Sequence, residues 1–114
     1  MFILDRQACT LDCGPGIRYA INVSNQYTEG AYEVSVDELV SDISKYPWLT
    51  GITLVGAVNH QHNECVELMK KIPKHIKLRI EIFLPRKYFE NCDLAKLATE
   101  IVYTTERHNN IEEV

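Results

Sequence analysis

An α/β fold with a mostly parallel sheet of about four strands and crossover helices is the architecture this sequence predicts. Three observations predict it. Short apolar runs alternate about three times with segments whose apolar residues recur at spacings of three and four. Gly51-Ile52-Thr53-Leu54-Val55-Gly56 has the form of a strand buried on both faces, as parallel strands are. Pro47, Pro73 and Pro85 each stand where one element must stop.

Taken in order, the first apolar run, residues 1–4, reads as an edge strand or a frayed start. Thr10-Leu11-Asp12-Cys13-Gly14-Pro15-Gly16 is turn chemistry, with two glycines free to take positive φ and a proline that fixes its own. Residues 17–24 read as a strand with Tyr19, Ile21 and Val23 on one face and Arg18, Ala20 and Asn22 on the other. Beyond a polar loop, Ser35 is a good N-cap, and Glu38 three residues on completes a capping box for a helix over 36–45. That helix buries Val36, Leu39, Val40 and Ile43.

The strand at 51–56 follows. His62 or Asn63 begins a second helix, with Cys65, Val66, Leu68, Met69 and Ile72 inward. Residues 77–84 alternate as a strand, 91–98 form a third and weaker helix, and 100–104 form a last strand. The tail from about residue 108 has few apolar anchors and is expected to be loose. Four parallel strands are too few to close a barrel, so two sheet edges need a terminus, a second copy or a partner to cover them.

A chain of 114 residues suits one domain with a core of its own, and 46% apolar with 25% charged residues is ordinary globular composition. The net charge of −4 argues against a nucleic-acid binder. Lys70, Lys71, Lys74, Lys77, Arg79, Arg86 and Lys87 are nonetheless close in sequence; they read as a solvated helix end and loop ahead of a phosphate track. No apolar stretch approaches the ~20 residues that span a bilayer, and the N-terminus is too short and too soon charged for a secretory signal. A cytoplasmic protein is expected, with Cys9, Cys13, Cys65 and Cys92 as reduced thiols.

Cys13-Gly14-Pro15-Gly16-Ile17-Arg18 runs straight into Tyr19-Ala20-Ile21-Asn22-Val23-Ser24. This string resembles the opening of the radical S-adenosylmethionine activases, which install the glycyl radical in pyruvate formate-lyase and anaerobic ribonucleotide reductase. The resemblance covers roughly residues 10–105. Val34-Ser35-Val36-Asp37-Glu38-Leu39-Val40 is similar to the family's first helix after its cluster loop, and the strand at 51–56 to the one ending in its Gly-Gly-Glu-Pro motif. It implies a truncated partial barrel.

Two departures matter. Where the family has a C-x3-C-x2-C loop for a [4Fe–4S] cluster, this chain has Asn25-Gln26-Tyr27-Thr28-Glu29-Gly30-Ala31-Tyr32, without a thiolate. Where the family has Gly-Gly-Glu-Pro, it has Gly56-Ala57-Val58-Asn59, and Val58 offers no carboxylate to a substrate ammonium. Cys9 and Cys13 have the spacing of the first two cluster ligands but precede the turn, and Gly16 stands where a third would be. The resemblance therefore implies a degenerate relative with neither radical chemistry nor cofactor, and no catalytic or metal residue is assigned.

The leading expectation is a protein that binds or regulates a protein partner, with Tyr27, Tyr32, Tyr46 and Trp48 as loop aromatics suited to docking or to covering a small core. A homodimer through a sheet edge fits the same reading. The alternative is a small-molecule or nucleotide-binding protein, or a weak enzyme, using Gly14, Gly16, Arg18, Asn59, His60 and His62 at strand ends. Within it, Arg18 reads equally as an anion clamp or as a hydrogen-bonding partner of its own turn. His60 and His62 read as a solvent-facing capping loop, as acid/base groups, or as half of a metal site completed by Cys13, Glu64 or Cys65. A metal-dependent hydrolase built on these histidines is the third and least favoured function.

Overall fold

The computed structural model describes residues 1–9 and 16–104. Among these residues the strands and α-helices follow one another as β1 (Phe2–Cys9), β2 (Arg18–Val23), β3 (Tyr32–Glu33), α1 (Val36–Ser44), β4 (Gly51–Gly56), α2 (His62–Lys71), β5 (Lys77–Ile82), α3 (Asp93–Leu97) and β6 (Glu100–Tyr103). One six-stranded sheet runs in the order β3-β1-β2-β4-β5-β6. Strands β2, β4, β5 and β6 are parallel, each joined to the next through a helix, as expected. The sheet as a whole is larger and mixed, because β1 runs antiparallel to both β2 and β3.

The extra strand is the main correction. The apolar signal of β1 stops at Leu4, but pairing continues through Asp5, Arg6, Gln7, Ala8 and Cys9, opposite Asn22 to Arg18. Backbone hydrogen bonds hold this segment, and its side chains stay largely exposed, so hydropathy does not mark it. Arg6 makes its own use of the position. It shares a row with Ile21 and reaches α1, 3.2 Å from Asp42 and 3.6 Å from Glu38.

Those contacts show which face the helices cover. Tyr19, on the same face, donates its hydroxyl to Asp42 at 3.2 Å, and α1, α2 and α3 pack side by side there. Ile21, Ile52, Leu54, Leu78, Ile80 and Ile82 meet Leu39, Ile43, Leu68 and Leu94 in one core. Each such side chain contributes about 1.5–3 kcal/mol on burial. On the other face, Arg18, Ala20, Asn22, Thr53, Val55, Arg79 and Glu81 carry no helix among the described residues.

The helix ends follow local chemistry. Ser35 Oγ accepts from the Glu38 amide at 3.0 Å, which is half of the expected capping box, while the Glu38 carboxylate lies toward Arg6. Helix α2 grows out of a 3₁₀ turn over Val58–Gln61 and ends before Pro73. Helix α3 is shorter than the expected 91–98, because Cys92 is its N-cap, with Sγ accepting from the Ala95 amide at 3.4 Å. No helix among the described residues is long and apolar enough to cross a membrane. The tail expected to be loose lies outside the described residues.

Cys65 and Cys92 are free thiols. Cys9, expected as a thiol, is disulfide-bonded. Burial, with Glu64 beside it, pushes the Cys65 thiol up to about 12. A raised pKa in the fold means the neutral thiol is the favoured form. Its contribution is complete below about pH 9 and is lost as pH rises from there toward 12. Iodoacetamide near neutral pH is expected to modify half-buried Cys92 in the native protein and to spare Cys65 until the chain unfolds. Peptide mapping by mass spectrometry reads this, and equal labelling of the two would contradict the burial of Cys65.

Candidate functional site

Arg18 opens β2 and lies across the sheet. Its Nε donates to Thr53 Oγ1 at 2.8 Å, and its Nη2 donates to the carbonyls of Ile52 at 2.9 Å and Lys77 at 2.8 Å. Only 4% of the residue is exposed. The guanidinium rests where Gly51 has no side chain; a Cβ there would run into its Cζ and both Nη atoms. Burial, with Arg79 nearby, lowers the Arg18 pKa from its usual value. In this setting Arg18 acts as a clamp across β2, β4 and β5. Gly16, just before it, has φ +81, and a Cβ would collide with Thr50 Oγ1. Thr50 exchanges hydrogen bonds with the Ile17 amide and carbonyl, both at 3.1 Å, which ties the turn to the start of β4. Gly14 lies outside the described residues.

The histidines sit at the other end of the sheet. Arg18 is level with Gly51, whereas Asn59 and His60 follow Gly56 at the carboxyl end of β4. The five-residue rise between them is about 16 Å. The strand-end residues proposed from sequence are therefore not brought together: Gly16 and Arg18 belong to one end, and Asn59, His60 and His62 to the other.

The two histidines also part from each other. His60 is exposed and lines an open hollow of about 300 Å³ with Phe2, Asn25, Gln26, Tyr27, Gln61 and Glu64. His62 Nε2 accepts from the Leu94 amide at 3.3 Å, and its ring lines a separate hollow with Glu67, Lys70 and Asp93. Among the described residues no three His, Cys, Asp or Glu side chains are placed to hold a metal ion. Gly56 has φ +99, with Val23 O 2.8 Å from where a Cβ would lie, and Val58 beyond it is fully buried in the core.

The aromatic residues divide in the same way. Tyr27, 87% exposed, is in the loop after β2 at the carboxyl end, and Tyr32 is on edge strand β3. Tyr46 and Trp48 come just before β4, at the amino end, with ring centroids 5.4 Å apart in an edge-to-face contact. Tyr46 also leans on Tyr19, 6.1 Å away, and so is part of the core wall.

Beside this pair is a surface that sequence reasoning missed. Two adjoining, mainly apolar cavities share Pro73 and Ile76. One, of about 310 Å³, is completed by Met69, Lys70, Lys74 and Leu97; the other, of about 270 Å³, by Ile43, Ser44, Tyr46, Pro47 and His75. Every lining residue comes from a helix end or from the link into the next strand. In sequence they read as helix stops and core positions. The available signal was strand direction, since the end of each helix and the start of each parallel strand must meet at one end of the sheet.

No protein-family model, curated protein or solved structure matches the chain.

Proposed function

We propose that this protein works by binding a protein partner and that it is a degenerate, non-catalytic relative of the radical S-adenosylmethionine activases. The observation that carries the binding reading is the pair of adjoining apolar cavities at the amino end of the parallel strands, with Trp48 standing 55% exposed beside them. An exposed Trp next to apolar hollows is the usual make-up of an interface anchor and its surroundings. The kinship reading rests on the sequence string at 13–24 and on the order of the later similar segments in the sequence. The small-molecule alternative loses its main support, because Arg18 and His60 are at opposite ends of the sheet.

Affinity purification of the tagged protein from its native cell, with quantitative mass spectrometry, tests the proposal. One partner near stoichiometric amounts is expected. Recovery of the chain alone, under gentle and repeated conditions, would overturn it.

A further inference from the structure

We infer that the amino-end groove receives an acidic amphipathic segment, with one apolar side chain on each side of Pro73 and carboxylates against Lys70 and Lys74. This rests on the protein-binding reading and gives it a surface and a ligand chemistry. The two cavities, of about 310 and 270 Å³, meet at Pro73 and Ile76, so a single segment crossing that ridge fills both. Their walls of Met69, Leu97, Ile43 and Tyr46 ask for aliphatic or aromatic anchors.

Charge decides the rest. The chain carries −4 overall, yet Lys70, Lys74 and His75 lie on the groove itself and Lys77 follows at once. Lys45 is 3.4 Å from Asp42 and Lys71 is 2.9 Å from Asp37, whereas Lys70, Lys74 and Lys77 have no carboxylate within ion-pair distance among the described residues. Exposed cations with no ion pair among the described residues, bordering an apolar groove, fit a partner with carboxylates around its anchors. The carboxyl ends of α1 and α2 also point this way and oppose an anion by about 0.3–1 kcal/mol each, within the last turn only. Lys70 and Lys71 in the last turn of α2 offset that. A nucleic acid fits less well: the groove is apolar, and the chain as a whole would repel phosphates.

Trp48 is the only tryptophan and packs edge-to-face on Tyr46, which lines one of the cavities, so its fluorescence is placed to report on occupancy there. The probes are two synthetic amphipathic peptides of about sixteen residues with the same leucine positions, one with glutamates and the other with lysines elsewhere. The glutamate peptide is expected to shift Trp48 emission and to bind at least about tenfold more tightly than the lysine peptide. Its binding is expected to weaken between about 50 and 300 mM salt. In the Lys70→Glu/Lys74→Glu variant the preference is expected to reverse, with the fold intact because both side chains are exposed.

Equal binding of the two peptides, preference for the lysine peptide, or an unchanged preference in the double variant would each overturn the inference. Self-association of the chain that is abolished by Leu97→Asp would assign the groove to a second copy and overturn it too. The two levels fail separately. A cellular partner retained at full strength by the double variant leaves the binding function standing and removes the groove, whereas absence of any partner removes the function.

Discussion

Arg18→Ala is expected to lower the stability of the fold by about 3 kcal/mol, the scale of a buried, hydrogen-bonded charge taken away from its partners. Among the described residues, three donor contacts disappear together: those to Thr53 Oγ1 and to the carbonyls of Ile52 and Lys77. The acceptors stay behind in a part of the sheet where Thr53 has no exposed surface. Lysine restores little, because one ammonium does not reproduce the flat fork that spans β4 and β5 above Gly51. Urea unfolding reads the result as a midpoint lowered by roughly 1–3 M at an unchanged slope. A variant that keeps the wild-type midpoint but loses thermal stabilisation by a small anion would instead make Arg18 a ligand clamp.

Trp48→Ala is expected to reduce partner capture by about thirtyfold, or about 2 kcal/mol, the lower bound for an interface anchor. The fold should lose at most about 1 kcal/mol, because the ring is 55% exposed and its main described contact is the edge-to-face packing on Tyr46. Tyr27→Ala provides the internal comparison. Tyr27 is the more exposed of the two but sits at the opposite end of the sheet, so partner capture is expected to stay at the wild-type level. Loss of the partner with Tyr27→Ala and its retention with Trp48→Ala would move the interface to the carboxyl end.

The difference between these two aromatics shows what was legible in the sequence. Strands β2, β4 and β5 could be read because each is an apolar or alternating run closed by glycine or proline, and α1 because Ser35 announces it. Strand β1 could not be read past Leu4, since an edge-side strand is held by its backbone and leaves Asp5 and Gln7 outside. Candidate residues were visible by chemical type, but their convergence was not. Arg18 and His60 look like one site until the parallel register puts Arg18 beside Gly51 and His60 beyond Gly56. The groove was hidden for a related reason: Ile43, Met69 and Leu97 come from the ends of three separate helices, and each has an adequate local explanation.

Gly56 bears on what this chain can say about its own ancestry. Its φ of +99 and the Val23 carbonyl 2.8 Å from the site of a Cβ make glycine obligatory here, whatever the protein does. A residue that geometry would demand of any lineage is no heirloom. The glycine therefore counts neither for nor against descent from an S-adenosylmethionine-binding strand. Val58, two residues on, is fully buried in the hydrophobic core. An acidic residue at that position would bury a charge, so the packing of this fold, and not only its chemistry, excludes a carboxylate there.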